Sequence, residues 1–336
     1  MSGTITATGA GRRRSTARNA APSGPRQPSV VDPGEWAGIT TGCVPTPARC
    51  LICTTTARLA DLNIEFNYHR TPERRLHTVE DARTFVEEMG FCFFWPIKDI
   101  EMPNLFHAIA GRVRPVPMEH GDPDISKCWG WKDDSLDKKW WYYGKLLRRR
   151  ATLISFDYLP YFYALSDNFG DLTDYLQEYE DGLMTAEAKS IYEAILESGP
   201  LDTVRLRREA RMSADSAKSR FDRALVELQV GLKVLPIGVA RTGAWNYAFT
   251  YELFQRWFPE VPEQARGIKR SEARRVLVQR YLDNVVAADR KMIARVFHVL
   301  KWTPKELGRT IATLLEESTV REIEIEGAEG PQLVLI

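Results

Sequence analysis

Residues 185–250 read TAEAKSIYEAILESGPLDTVRLRREARMSADSAKSRFDRALVELQVGLKVLPIGVARTGAWNYAFT, and this stretch decides the fold. Apolar residues three and four positions apart predict a first helix that ends at Gly199, and Asp202 is placed to cap a short second helix. A third helix follows, with an apolar face and a basic solvent face. Segments 232–239 and 245–250 then indicate two strands around a glycine turn. Three helices followed by a hairpin predict a winged helix-turn-helix.

The same order of elements returns near the C-terminus. A helix over 271–286 is followed by a second helix capped by Asp289 and a third capped by Thr303, and two strands close the segment. The sequence therefore predicts a mainly α fold with small β wings (α+β), built from tandem winged helix-turn-helix domains at residues 185–250 and 265–336.

An aromatic-rich segment precedes these two domains. Thr78 and Asp81 form a capping-box pattern at the start of a helix that Gly90 ends. Seventeen aromatic residues fall between positions 91 and 169. Because aromatic side chains dominate core burial, residues 77–180 are predicted to form a helical or winged-helix-like module with an aromatic core.

Residues 1–62 lack apolar periodicity and predict a disordered basic tail. An organelle transit peptide, an arm that touches phosphates and an over-extended start are alternatives. Cys50 and Cys53, with Cys43 upstream, resemble half of a zinc site. A structural zinc site needs four ligands, so no metal site is predicted.

Charge is segregated along the chain. The 46 Lys and Arg residues nearly balance 45 Asp and Glu residues, yet residues 201–245 carry a net +4, residues 262–310 a net +7 and residues 61–200 a net −9. No apolar run is long enough to cross a membrane. Five cysteines favour a reducing, intracellular compartment, either cytoplasm and nucleoid or nucleus. No phosphate-binding or dinucleotide motif is present, so no cofactor is expected.

The two basic segments coincide with the two predicted winged helices, which favours duplex DNA as the partner. Solvated helix faces, or winged helices that bind protein, are the alternatives. The predicted DNA contacts are Arg205, Arg207, Arg208, Lys218, Arg220, Arg223, Arg241, Lys269, Arg270, Arg274, Arg275, Lys305 and Arg309.

Four short segments resemble the AlkZ/YcaQ-like family of winged-helix DNA glycosylases: residues 192–196, 199–203, 219–229 and 288–295. The similarity covers about residues 77–336. The resemblance implies tandem winged helices around a concave basic surface that grips duplex DNA. It also implies a role in DNA repair, in which alkylated or cross-linked bases are excised without a cofactor.

The family's catalytic motif is absent from this chain. Catalytic members carry Gln-apolar-Gln or Gln-apolar-Asp after a Leu/Met-Gly-Phe-like turn, whereas here the turn at residues 89–92 is followed by Phe93, Phe94 and Trp95. None of these three side chains can accept a proton or orient a water molecule, so the family's catalytic assignment is not carried over.

Substitute carboxylates are the remaining catalytic candidates, because a carboxylate among aromatic residues can act as a general base. They are Asp99, Glu101, Asp133 and Asp134. Asp134 or Ser135 is alternatively predicted to cap a following helix. The sequence thus predicts a DNA-binding protein related to repair glycosylases, with a working glycosylase as one hypothesis. A winged-helix transcriptional regulator or an interaction scaffold without enzymatic activity is the alternative.

Overall fold

The computed structural model describes residues 64–118, 121–243 and 245–336. The predictions for residues 1–62, including the tail and the cysteine half-site, lie outside the described residues. No helix in the described ranges is both long and apolar enough to cross a membrane.

Fourteen α-helices are named here in chain order: α1 (Ile64–Asn67), α2 (Val79–Met89), α3 (Leu105–Ala110), α4 (Pro123–Lys138), α5 (Leu159–Leu165), α6 (Asp174–Glu180), α7 (Ala186–Ser198), α8 (Thr203–Glu209), α9 (Lys218–Val230), α10 (Phe254–Trp257), α11 (Glu260–Ala265), α12 (Arg270–Val285), α13 (Arg290–Phe297) and α14 (Pro304–Glu316). The strands are β1 (Phe91–Phe93), β2 (Tyr142–Lys145), β3 (Ala151–Ile154), β4 (Leu201–Asp202), β5 (Val234–Ala240), β6 (Ala248–Leu253), β7 (Ala287–Ala288), β8 (Val320–Ile323) and β9 (Gln332–Leu335). The chain combines α-helices with small antiparallel sheets, which confirms the α+β class predicted from the sequence.

Three segments of the described chain share one order of elements: helix, strand, helix, helix, strand, strand. We call them the first unit (α2 to β3), the second unit (α7 to β6) and the third unit (α12 to β9). Each contains an antiparallel sheet of three strands, in which the last strand lies between the other two: β1-β3-β2, β4-β6-β5 and β7-β9-β8.

The predicted helix starts are confirmed where local chemistry sets them. Thr78 caps α2 in a capping box with Asp81, and Thr303 caps α14 in the same arrangement with Glu306. The side chain of Asp289 accepts the amide of Met292 at the start of α13. Each of these side-chain oxygens binds an amide that has no partner inside its helix, so a local signal suffices to place the end.

One predicted cap is wrong. Asp134 and Ser135 lie inside α4, which begins at Pro123 and is capped by Asp122. Asp122 accepts the amides of Asp124 and Ile125, both at 3.0 Å. The acids of this segment therefore lie on a helix rather than in a loop.

One hydrophobic cluster contains residues of all three units, and further clusters lie within the individual units. The cluster that spans the units contains Phe91 of the first unit, Leu235 of the second, and Tyr281 and Phe297 of the third. The ring of Phe91 lies 6.0 Å from that of Phe297 in an edge-to-face arrangement. A buried amide, Asn284 of α12, donates to the Met89 carbonyl at 2.7 Å. Aromatic side chains of the first unit thus pack in a cluster that also contains residues of the second and third units.

Candidate nucleic-acid interface

A cavity of about 620 Å³ lies where the three units meet, and we call it the central cavity. Arg149 reaches it from the β2–β3 hairpin of the first unit, while Arg220 and Arg223 come from α9 of the second. The third unit contributes Arg270 and Lys301. Cations that are far apart in sequence therefore converge on one concave surface.

Acidic residues also line the central cavity and neutralise part of this charge. Glu187 lies 3.3 Å from Arg220, and Asp167 lies 3.6 Å from Arg270 and 3.4 Å from Lys301. Among the residues that the structure describes, Arg149 and Arg223 have no ion-pair partner. These two guanidinium groups are accordingly the cations most available to a ligand.

Arg149 is not among the DNA contacts predicted from the sequence. It belongs to an Arg148-Arg149-Arg150 run in the turn between β2 and β3, which lies inside the segment of net charge −9. Arg148 and Arg149 both adopt left-handed backbone conformations, with φ of 54° and 56°. The sequence feature that marks this turn is three consecutive arginines between two short strands. The net charge summed over 140 residues hides this local cluster of positive charge.

Most of the predicted DNA contacts are exposed. Those with no ion pair in the described part of the chain are Arg205, Lys218, Arg223, Arg241, Lys269, Lys305 and Arg309. Arg208 pairs with Glu209 at 3.0 Å, and Arg275 pairs with Glu317.

Two predicted contacts have internal partners instead. Arg274 is 11% exposed and forms an ion pair with Glu306, which joins α12 to α14. Arg207 donates to the carbonyl oxygens of Met212 at 3.1 Å and Ala214 at 3.0 Å, and so stabilises the turn before α9. Their guanidinium groups therefore stabilise the fold through these internal contacts.

The first pair of candidate acids lies between β1 and α3, beside a second cavity of about 460 Å³. Glu101 lies 2.6 Å from the guanidinium of Arg70, and the Asp99 carbonyl accepts Arg295 at 3.1 Å. His107 lines the same cavity, and burial lowers its pKa. No group of three or more His, Cys, Asp or Glu within the described ranges is arranged to hold a metal ion.

The second pair of acids lies on α4. Asp134 is exposed, 4.0 Å from Lys138. Asp133 instead meets two groups: its Oδ1 lies 2.5 Å from Lys132 Nζ and accepts the hydroxyl of Tyr247 at 2.8 Å. Lys132 Nζ also donates to the Tyr247 oxygen at 2.6 Å. These three residues and the neighbouring Trp129 form what we call the Asp133 site.

Aromatic rings enclose the ammonium group of Lys132, whose side chain is fully buried. Lys132 Nζ lies 4.2 Å from the centroid of Trp129 and 4.4 Å from that of Phe249, with Tyr143 and Tyr247 farther out. Burial lowers the lysine pKa to about 8, against the opposing effect of the Asp133 charge. Burial, and next the hydrogen bond to Asp133, raise the pKa of Tyr247, which keeps its hydroxyl protonated as a donor.

The Asp133 site adjoins the segment from Phe93 to Trp95. Phe93 and Phe94 are buried. The rings of Phe94 and Trp95 lie 5.8 Å and 6.3 Å from that of Trp129 in edge-to-face contacts. Aromatic packing thus occupies these three positions, and the carboxylate beside them comes from α4. Lys132 and Tyr247 are not among the site residues predicted from the sequence, because Tyr247 lies 114 residues from Asp133.

Comparison with curated proteins and with solved structures gives no match. A family model described as AlkZ related matches residues 76–298, a span that begins before the first unit and ends within the third. The match covers more than half of the chain and includes Phe93, Phe94 and Trp95 as well as the Asp133 site. On this match, the chain belongs to the AlkZ-related family.

Proposed function

We propose that this protein is a tandem winged-helix protein that binds duplex DNA through the central cavity and acts in DNA repair. The main observation that supports DNA binding is that cations from all three units line that cavity. The domains proposed are residues 77–180, 185–250 and 265–336.

The topology of the units supports the winged-helix part of the proposal. Each unit has three helices, a hairpin and a short strand after its first helix that completes the sheet. In a DNA-binding helix-turn-helix, residues on the recognition helix contact the nucleic acid. The matching helix of the second unit is α9, and it directs Arg220 and Arg223 into the central cavity.

The distribution of charge supports duplex DNA as the partner. Phosphate contacts supply most of the non-specific affinity for duplex DNA, and each one releases condensed counterions. Arg149 and Arg223 have no ion-pair partner among the described residues, so a phosphate would displace no internal carboxylate from them. Exposed Lys218 and Arg241, on α9 and in the β5–β6 hairpin, are further cations of the second unit.

The test is DNA affinity as a function of salt for the Arg149→Ala/Arg223→Ala double variant. Each phosphate contact contributes about 0.9 to the slope of log K against log salt, so the double variant is expected to lose about 2 units of slope and to bind more weakly at low salt. Fluorescence anisotropy with a short labelled duplex measures both quantities.

The matched control is Arg266→Ala. Arg266 is exposed and pairs with Glu263 at 2.9 Å, but it does not line the central cavity. This variant should keep the wild-type slope. Equal affinity and slope for the double variant and the wild type would contradict the proposal and favour a regulator or scaffold that binds other proteins.

A further inference from the structure

We propose that the central cavity is a binding site for a terminal phosphate at a strand break in DNA. The chemical class of the ligand is a phosphomonoester at the end of a strand, as distinct from the phosphodiesters within the strand. The inference rests on the proposed DNA binding and names the kind of DNA that this cavity selects.

The size of the cavity favours a strand end over an intact duplex. Its volume of about 620 Å³ lies within the range of about 300–1,000 Å³ that is usual for pockets that enclose a small ligand. A B-form duplex cannot enter such a space, because its major groove alone is about 12 Å wide. A terminal phosphate has a nucleotide on one side only, so at a gap it can leave the duplex and enter the cavity.

The charged groups that line the cavity leave an excess of cations. Six lysine and arginine residues and four carboxylates line it. Glu178 pairs with Lys233 at 2.7 Å, and Glu227 accepts the amide and the hydroxyl of Thr185, both at 2.9 Å. The other two carboxylates form the ion pairs described above. Every carboxylate of the cavity therefore has a partner already, and the uncompensated charge belongs to the cations.

Arg149 and Arg223 carry this excess charge, and they match a phosphomonoester better than a phosphodiester. Neither forms an ion pair within the described ranges, and they come from different units. A phosphomonoester carries a charge of about −1.5 to −2 at pH 7 and three acceptor oxygens, whereas each phosphodiester of DNA carries a single negative charge. Guanidinium groups bind phosphate oxygens through paired hydrogen bonds, so the extra charge and oxygen of the monoester let it engage both arginines.

Apolar side chains also line the cavity and suit the sugar and base of a terminal nucleotide. Leu183 is 62% exposed, and Val299 and Leu300 contribute from the third unit. Burial of exposed leucine surface by a sugar or a base is favourable, because apolar area is removed from water. The terminal nucleotide thus has a surface on which to pack, in addition to the cations that hold its phosphate.

Cations outside the cavity favour a DNA strand over a free mononucleotide. Arg205 and Lys218 have no ion pair in the described part of the chain and do not line the cavity. They can add affinity only for a ligand that extends beyond it, as a strand that continues from the terminal phosphate does. We therefore assign the phosphate to a strand break.

The test compares duplexes that contain a one-nucleotide gap and differ only at one terminus of that gap. Hairpin loops close both outer ends, so the gap holds all of the strand termini. One pair of duplexes carries a phosphate or a hydroxyl at the 5′ terminus, and a second pair differs in the same way at the 3′ terminus. Fluorescence anisotropy with an internal label should show at least about tenfold tighter binding of the phosphate in one pair or in both, the effect of charge-assisted hydrogen bonds.

Variants of the cavity arginines locate this preference. The Arg149→Ala/Arg223→Ala double variant should bind phosphate and hydroxyl termini with equal affinity. Arg150→Ala is the matched control, because Arg150 is exposed in the same turn but does not line the cavity. This variant should keep the full preference. A preference of wild-type size in the double variant would place the phosphate elsewhere and overturn the assignment to the central cavity.

The outcomes separate this inference from the function on which it rests. Equal and tight binding of phosphate and hydroxyl termini by the wild type would overturn the strand-end inference and leave the DNA-binding proposal standing. Failure to bind any of these duplexes would contradict the DNA-binding proposal itself. Deoxyadenosine 5′-monophosphate is the probe for a free nucleotide and should bind far more weakly than the gapped duplex; equal affinity for the two would overturn the assignment to a strand break.

Discussion

At the scale of single residues, Lys132 is the most unusual group in the described chain. A fully buried ammonium is held by one carboxylate, one hydroxyl and the faces of aromatic rings. Desolvation of a charge is costly, and the ion pair with Asp133 together with cation–π contacts offsets part of that cost. Lys132 therefore links α4 to the β5–β6 hairpin, but the burial of its charge lowers the free energy of unfolding.

This burial predicts a distinct pH dependence of stability. The folded-state pKa of Lys132 is about 8, below its usual value of 10.5, so above pH 8 the unfolded chain binds more protons than the folded protein. The free energy of unfolding contributed by Lys132 should rise by about 2 kcal/mol between pH 7.5 and 9.5. Lys132→Met should lack this rise, as measured by urea unfolding at each pH.

The control for this measurement is Lys138→Met, which removes an exposed lysine from the same helix. Its unfolding free energy should follow the wild-type pH curve. Tyr143 and Tyr247 also have raised pKa values, but they are present in every variant, so their effects cancel in the differences. A Lys132→Met curve parallel to the wild type would show that the ammonium is not destabilised by burial.

At the scale of elements, the β5–β6 hairpin is notable for its tip. Trp245 is 91% exposed there, close in sequence to Arg241 and Tyr247. Gly243 has φ of 80°, a left-handed conformation that glycine adopts without strain, and this shapes the turn. The hairpin thus holds a cation and an indole at its tip, and Tyr247 lies at the tip end of β6.

We expect Trp245→Ala to weaken DNA binding without changing the unfolding temperature. Stacking of an unpaired base on an aromatic ring is worth about 1–3 kcal/mol, so on a duplex that contains an unpaired base the loss of affinity should lie between about fivefold and about 100-fold. Phe169→Ala, at a similarly exposed position outside the hairpin, should bind like the wild type. Equal affinities for the two variants would exclude the hairpin tip from the DNA contact.

Elements with local signals could be predicted from the sequence, and elements that depend on distant partners could not. The caps at Thr78 and Thr303 are set within four residues, and the helices start there as predicted. Strand β7 has two residues and exists through pairing with Val334 and Leu333, more than forty residues away. No local pattern marks so short a strand.

In the candidate sites too, features with a local signal could be predicted from the sequence, and features that depend on distant residues could not. The exposure of Lys218 and Arg223 could be predicted from the apolar face of their helix. The cage around Lys132 could not, because its members come from α4, β2 and the β5–β6 hairpin. The interpretation of Asp134 as a cap failed because α4 carries charged residues among its aromatic residues, which obscures its helical period.

At the scale of the whole molecule, the shared core makes the three units interdependent. Phe91 contacts Phe162 at 5.3 Å and Phe297 at 6.0 Å, so one side chain from the first unit packs into the third. Met89, the last residue of α2, is tied to α12 by the buried Asn284 amide. The first and third units, which both contribute residues to the central cavity, are therefore coupled through this core.

We expect Phe91→Ala to destabilise more than its own unit. Loss of a buried Phe costs about 3–5 kcal/mol, and the cavity that it leaves borders residues of α13. Amide hydrogen exchange should accelerate in β9 as well as in β3. Phe221→Ala, in the separate core of the second unit, should open that unit first. Acceleration confined to the first unit in Phe91→Ala would show that the units unfold independently.

The left-handed turn at Arg148 and Arg149 bears on how quickly a polyanion is captured. Two non-glycine residues in this conformation each cost about 1 kcal/mol, and the surrounding hairpin must maintain them. In return, the Arg149 guanidinium faces the central cavity before any ligand arrives. Less conformational entropy is then lost when a polyanion binds. A flexible loop would have to become ordered during binding, whereas this turn is already ordered in the folded protein.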